Sequence, residues 1–401
     1  MGTTQGVTHD QDSDGDKTRG STEQVVTPWE RPASHPGTSS PTRSPTRYSD
    51  LPNSVRALLM SIAVGDHVAS DLLADAFPAT VDLPAPTRDV VLGSLMTATM
   101  ARGPVASEIE ALLRSALAVD GQTPAEVISG GDRPVVMLAG SGKKGVRTLN
   151  VSTPAALVAA AAGAQVIKVG SAATSSALGS RDLVCALGLR ENRTADAVRA
   201  DLDACGFAFV AIEPEIPLLD ELYGGRFHAP NPFSFGLAPL ASPVRGDVTV
   251  FGLSHPRVDV AARVLSRFGM DHADVLTTRL PIGRYLDEIG PAGEVRWCRV
   301  RDGEVGPVES EPAGHQTTTD SPDALPLPQG PEEAIERTGE LLAGRGLDSH
   351  RAIVALNAAH LLVLGGIAAS FQQGRDLADD ILRSGVTLAS IPVAGTVEMS
   401  A

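Results

Sequence analysis

The chain of 401 residues is short of cysteine, of long hydrophobic runs and of positive charge, and each shortage removes a class of protein. Its three cysteines, Cys185, Cys205 and Cys298, stand far apart with no Cys-x-x-Cys spacing. That excludes a disulfide framework and a thiolate zinc site, and it suits a reducing cytoplasm in which the thiols are buried or inert. The longest apolar stretches, such as residues 155–162 and 353–367, are broken or bounded by Gly, Asn or His. They fall short of the roughly 20 residues that cross a bilayer. The opening MGTTQGVTHDQDSDGD has neither a basic nor an apolar segment, so it does not read as a signal peptide and the expected location is cytoplasmic. Lys and Arg number 33 against 48 Asp and Glu, a net charge of −15. Such a chain is a poor general binder of nucleic acid, which demands clustered cations, but it is compatible with a cationic partner. What is present is 42% hydrophobic residues, enough for one sizeable core or two smaller ones.

Residues 1–48 are rich in Thr, Ser, Pro, Gly and Asp with hardly any aliphatic side chains. They cannot bury enough surface to offset ordering entropy and read as a disordered tail. Residues 49–125 read as a small all-helical domain, with apolar residues at three- and four-residue spacing in SVRALLMSIAVG, DVVLGSLMTATMARG and VASEIEALLRSAL. The texture then changes. PVVMLAG reads as a buried strand ending in a Gly-rich loop, STPAALVAAAAG as a helix capped by Ser152 or Thr153, and QVIKVG as a second strand. Strand, loop, helix and strand make a βαβ unit, so residues 126–206 and 231–401 are expected to form a larger α/β domain with a central, mostly parallel sheet. Residues of about 207–230 are expected to return to the helical domain. Further strands are expected at DVTVFGL and DVLTT, with a hairpin from EVRWCRV through RDGE. Residues 308–330 are polar, Pro-rich and aperiodic, and read as a loop. Helices follow in PEEAIERTGELLAG, HRAIVALNAAHLLVLGG and SFQQGRDLADDILRSG, the middle one apolar nearly all round and therefore core.

Three constellations carry chemistry. The first is the loop Gly140, Ser141, Gly142, Lys143, Lys144 and Gly145 with Arg147, Asn150, Ser152 and Thr153 after it. Glycines let backbone amides approach phosphate oxygens, the following helix offers its positive end, and the basic side chains add charge. The second is Lys168 and Ser171 after a strand, followed by Ser176 and Gly179-Ser180-Arg181-Asp182. Small hydroxyl residues there suit a pyrophosphate or ribose, and Lys168 suits a leaving group. The third is Asp287-Glu288, a pair able to hold Mg²⁺ together with water and phosphate. Taken singly, each has a bland reading as a turn, a capped helix start or a solvated surface pair.

Together they resemble the anthranilate phosphoribosyltransferase family. GSGKKGVRTLNVST looks like that family's GTGGDG…NxST element, Lys168-x-Gly with SS and GSxD like KHGNRxxSSxxGSxD, LAPLASP like LGPLxNP, and Leu286-Asp287-Glu288 like its acidic metal pair. Met100-Ala101-Arg102-Gly103 with Glu108-Ile109 resembles its KGE and EI boundary, so the likeness runs over about residues 51–390. It implies a Mg²⁺-dependent phosphoribosyltransferase with phosphoribosyl pyrophosphate as donor, and a homodimer through the helical domain. Donor contacts are implied for Gly140, Gly142, Asn150, Ser152, Thr153 and Lys168, with Lys143, Lys144, Ser171 and Ser176 as neighbouring candidates. Mg²⁺ coordination is implied for Ser152, Asp287 and Glu288.

The departures concern the acceptor. Lys144 stands where the family loop has Asp. Val169, Ser171 and Ala172 stand where it has His, Asn and Arg, and Asn231 replaces the anthranilate-facing Arg. A carboxylate acceptor is best held by a bidentate guanidinium, so these residues argue away from anthranilate. The stretch from Glu213 to Glu221 holds Glu213, Glu215, Asp220 and Glu221 with no Lys or Arg. It is either an exposed acidic face or the wall of a site for a cationic aminocyclitol of the neamine type, with Glu213, Glu215 or Asp220 as base. Family members that ribosylate such acceptors in aminoglycoside antibiotic biosynthesis are similar to this picture. The alternatives are tryptophan biosynthesis, a nucleoside phosphorylase, or a non-catalytic binding homologue, which would lack the metal pair and carry basic surface. His67, His255, His272 and His360 form no ligand pattern, His360 reads as core, and His228 alone lies in sequence near the acceptor wall.

Overall fold

The structure is a computed structural model that describes residues 47–142, 149–173, 178–223, 226–227, 229–313 and 327–385. Residues 1–46, nearly all of the expected tail, lie outside them, as do Lys143, Lys144, Ser176 and His228. Four helices come first: α1 (Asn53–Val64), α2 (Ser70–Val81), α3 (Ala85–Arg102) and α4 (Ala106–Val119). α2 is absent from the sequence reading. It contains Pro78, which removes a helical hydrogen bond, but Leu73, Ala76 and Phe77 are fully buried in a core shared with α4, and that packing overrides local propensity.

Next come β1 (Glu126–Val127), β2 (Val135–Gly140), α5 (Ser152–Ala161), β3 (Gln165–Gly170), α6 (Ser180–Ala186), α7 (Ala195–Cys205), β4 (Phe207–Ala211) and α8 (Pro217–Tyr223). They are followed by α9 (Leu237–Leu240), β5 (Val244–Arg245), β6 (Val248–Gly252), α10 (Val258–Arg267), β7 (Ala273–Arg279), β8 (Tyr285–Leu286), β9 (Glu294–Arg301) and β10 (Glu304–Pro312). α11 (Pro331–Leu342), α12 (Asp348–Leu364) and α13 (Phe371–Ser384) close the described chain. The main sheet runs β10-β9-β7-β6-β2-β3-β4, with β8 beside β7, while β1 and β5 pair separately. β7, β6, β2, β3 and β4 are mutually parallel; β9 runs antiparallel to both of its neighbours, β7 and β10.

Alternation along β2 explains its continuous apolar run. Val135, Met137 and Ala139 join the core that α4 and α10 share, whereas Val136 and Leu138 join the core built by α5, α11, α12 and α13. A strand covered on both faces has no solvent side to make polar. Leu157 and Val158 of α5 are fully buried on the second face, each burial stabilising by about 1.5–3 kcal/mol.

Three expectations change. Phe207–Ala211 is the sheet's edge strand, paired with β3, where a return segment was expected. β10 continues through Pro312 into the expected loop. The cap position of α5 falls to Val151, not Ser152 or Thr153. Among the described residues no helix is long and apolar enough to cross a membrane.

Candidate active site

From β2 the chain runs outward through β3 to β4 on one side, and β6 and β7 lie on the other. The order therefore switches between β2 and β6, and the crevice outside their carboxyl ends is where such sheets bind ligands. A cavity of about 190 Å³ opens there.

The pleat explains the space. Lys168, Leu138, Val250 and Asp274 stand side by side across β3, β2, β6 and β7. One pleat nearer the carboxyl ends, Gly140 faces Gly252, so no side chain fills the crevice and the loop after β8 descends onto the sheet. A Cβ on Gly252 would stand 1.8 Å from the Asp287 carbonyl oxygen, and one on Gly140 would stand 2.8 Å from Asp287 Oδ2. The Gly142 N–H donates to that Oδ2 at 2.9 Å from a left-handed φ of 60°, a conformation glycine adopts without strain. Thr278 Oγ1 donates to the Glu288 carbonyl at 2.6 Å and accepts from Gly290 N–H at 2.9 Å. The acidic pair is thereby fixed to β7, with Glu288 only 5% exposed.

Of the expected site residues, Gly140, Gly142, Asn150, Ser152, Lys168, Ser171, Asp287 and Glu288 line this one cavity. At the start of α5, Val151 has no side-chain oxygen with which to cap, and Asn150 Oδ1 accepts from Thr153 N–H at 3.4 Å. A helix end of this kind favours an anion. Thr153 itself is fully buried behind the wall. Lys168 is also buried, and its Nζ donates to the Val169 carbonyl.

At the other end the wall is Ser171, Ala172, Ile212, Phe233, Ser234, Leu237 and Ala238. Glu213, Glu215 and Asn231 are not among the lining residues. Glu213 Oε1 accepts from Ala172 N–H at 2.5 Å, and its Oε2, buried without a hydrogen bond among the described residues, lies 3.9 Å from Arg181. Glu215 lies 3.7 Å from Arg193. The stretch without cations in sequence thus meets arginines from α6 and the α6–α7 loop in space. Burial, with Asp120 repulsion added, raises the Asp220 carboxyl against the pull of Arg181. Asn231 is a cap: its Oδ1 accepts from Phe233 N–H at 3.1 Å and its Nδ2 donates to the Ala229 carbonyl at 3.1 Å.

Two lining residues escaped the sequence reading. Asn357 and His360 of α12 border the cavity, and the available signal was a pair of polar residues three apart on an apolar helix. The remaining described histidines are elsewhere: His67 is 3.2 Å from Glu108, His272 is 3.7 Å from Asp302, His255, pushed down to about 4 by burial, packs its ring edge against Phe235, and His350 is buried in the first turn of α12.

The sequence matches the glycosyl transferase family, a/b domain, over residues 132–388. An anthranilate phosphoribosyltransferase of Sorangium cellulosum is 34% identical over 327 residues, covering 78% of this chain and 90% of the relative. The structure is similar to the crystal structure of anthranilate phosphoribosyltransferase from Thermus thermophilus, with a TM-score of 0.65 and 26% identity over 83% of this chain and 96% of the other. It shares its fold with the Saccharomyces cerevisiae anthranilate phosphoribosyltransferase in complex with PRPP and Mg, with a TM-score of 0.62 and 19% identity over 83% of this chain and 95% of the other. Matching sequence over this span, together with the glycine-seated acidic pair at the switch point, means that the chain belongs to the anthranilate phosphoribosyltransferase family.

Proposed function

We propose that this chain is a Mg²⁺-dependent phosphoribosyltransferase that moves the 5-phosphoribosyl group of phosphoribosyl pyrophosphate to a small acceptor and releases pyrophosphate. The observation that carries this reading is a single cavity lined by the start of α5, Lys168, Asp287 and Glu288. These residues fit Mg²⁺. Among the described residues no group of three or more His, Cys, Asp or Glu could hold a metal alone, and Mg²⁺ is typically bound through one or two carboxylates plus substrate phosphates. Asp287, Glu288 and the Ser152 hydroxyl would hold it, and when bound it supplies positive charge against the pyrophosphate.

The remaining chemistry falls to the chain. The ribose C1–O bond breaks with its electron pair leaving on pyrophosphate, and the acceptor's lone pair forms the new bond at C1 from the opposite face, its proton passing to a base or water. Lys168 and the amide end of α5 offset charge developing on the leaving group without reorganising, as preorganised donors do. The glycines at 140 and 142 admit the donor to the backbone.

For the acceptor, the relatives support anthranilate, and that reading takes precedence over the aminocyclitol expected from sequence. One observation favours the aminocyclitol as a second reading, with a place in antibiotic biosynthesis. Among the described lining residues there is no arginine to hold a carboxylate, and the buried Glu213 Oε2 lies just behind Ala172. Release of pyrophosphate from the donor and Mg²⁺, followed with anthranilate, neamine and a nucleobase in turn, tests both. Anthranilate-dependent release supports the first reading and neamine-dependent release the second. No release with any acceptor from folded protein overturns the enzyme. The same reading includes a homodimer through the helical segment, where α1 and α3 expose Met60, Val64 and Val90.

A further inference from the structure

α12 is buried along most of its length, and eleven of its residues are buried, among them His350, Arg351 and His360. Polar groups in such a helix need a reason beyond stability, because burying them costs free energy unless they are bonded. Two of them, Asn357 and His360, stand one turn apart at the cavity wall.

Asn357 treats one residue as a strand partner would. Its Oδ1 accepts from Ile289 N–H at 3.0 Å, its Nδ2 donates to the Ile289 carbonyl at 2.9 Å, and the same Nδ2 reaches the Ile353 carbonyl at 2.9 Å. All of its hydrogen-bonding directions but one acceptor lone pair are thereby used. Ile289 directly follows the acidic pair, so the amide fixes the peptide that leaves Glu288.

His360 anchors the same helix from below. Its Nε2 is 3.1 Å from Asp274 Oδ2, its ring packs on Trp297 with centroids 4.8 Å apart, and Arg301 Nη2 donates to Asp274 Oδ1 at 2.6 Å. α12 is therefore tied to β7 and β9 at one turn and to the metal loop at the next. Apolar side chains of similar volume could fill these positions with equal or greater stability, but they would leave the loop free to slide along the helix.

We propose that Asn357 and His360 are positioning residues that set Asp287 and Glu288 for a divalent cation, Asn357 through the Ile289 peptide and His360 by locking α12 to Asp274. The proposal rests on the phosphoribosyltransferase reading, and partners that orient metal ligands typically change metal affinity by about 10–100-fold when removed.

The test uses Mn²⁺ as probe, titrated by electron paramagnetic resonance into the full-length protein with phosphoribosyl pyrophosphate present. Asn357→Leu and His360→Leu are each expected to weaken Mn²⁺ binding about tenfold or more, with the half-saturating Mg²⁺ concentration in turnover rising in parallel. Asn357→Asp, which keeps the acceptor for Ile289 N–H, and His360→Gln, which keeps a donor toward Asp274, are expected to weaken it less. These two conservative variants decide the matter if the leucine variants do not fold. Mn²⁺ binding within twofold of the parent in all folded variants, with thermal stability alone reduced, would overturn the positioning role while leaving the phosphoribosyltransferase reading intact. A parent protein that binds no Mn²⁺ with the donor present would overturn that reading as well.

Discussion

Gly140 and Gly252 face each other across β2 and β6, yet they meet different atoms. A methyl at 252 would collide with main chain, 1.8 Å from the Asp287 carbonyl oxygen and 2.6 Å from its carbon. Backbone cannot swing aside, so Gly252→Ala is expected to cost about 1–3 kcal/mol of stability, the usual range for overpacking, and to lose turnover. A methyl at 140 meets the tip of the Asp287 side chain, which can rotate away. Rotation gives up the bond that Asp287 Oδ2 accepts from Gly142 N–H, about 0.5–1.5 kcal/mol, so Gly140→Ala is expected to melt only a few degrees below the parent, while needing more Mg²⁺ for half activity. Thermal melts beside Mg²⁺ titrations check the contrast, and equal losses in both measurements for both variants would contradict it. At this scale the sequence was legible where several motifs stand in a recognisable order. Asp287, Glu288 and Lys168 stand out through their order along the chain and their likeness to the family's motifs, since each has a bland reading by itself. Asn357 and His360 were passed over as core because burial and function look alike in an apolar helix.

Secondary elements were legible in proportion to how self-contained their signals are. β2, α5 and β3 carry apolar runs and glycine stops, and they stand where the pattern predicts. β4 and α2 depend on their neighbours: Phe207–Ala211 is a strand because β3 pairs with it, and α2 keeps Pro78 because its buried face holds it. β7 illustrates how an element's chemistry is set by others. Asp274 is 1% exposed, and burial opposes its ionisation, but the His360 ring 3.1 Å away, with the Arg301 guanidinium beside it, holds its carboxyl below the ordinary value. Because the folded value is depressed, the contribution to stability is present above the unfolded value of about 3.9 and fades as pH falls through the folded one. Asp274→Asn is expected to cost about 3–5 kcal/mol near neutral pH, as breaking a buried pair does. The gap between parent and variant should hold to about pH 5 and shrink below about pH 4. Urea unfolding of both proteins across that range gives the answer, and a gap that widens toward acid would reverse the assigned sign.

On the scale of the whole molecule, the site could be read only as far as chain order allowed. Gly142 and Asp287 share a hydrogen bond across 145 positions, and motif order along the chain, not any local pattern, was what let them be grouped. Proximity in sequence misled in the acidic stretch, where Glu213 and Glu215 gain Arg181 and Arg193 as neighbours. Quaternary structure follows a similar logic, since it depends on what the surface leaves uncovered. Met60 and Val64 lie four residues apart and so on one face of α1, α3 packs beside it with Val90, and the three are 55%, 65% and 68% exposed. Single exposed apolar residues are ordinary, but a group on neighbouring helices suits association, and a stable interface needs about 800 Å² from each partner, to which three such side chains add an apolar centre. The parent protein is expected to scatter light as a dimer, and Val64→Glu combined with Val90→Glu as a monomer, because facing carboxylates would be buried without partners. Donor-dependent Mn²⁺ binding should survive in that monomer, since every residue named for the metal lies on α5, on α12 or in the loop after β8. A variant that stays dimeric would move the interface away from α1 and α3, and one that loses the metal along with the dimer would mean that the partner subunit helps to hold the cavity in shape.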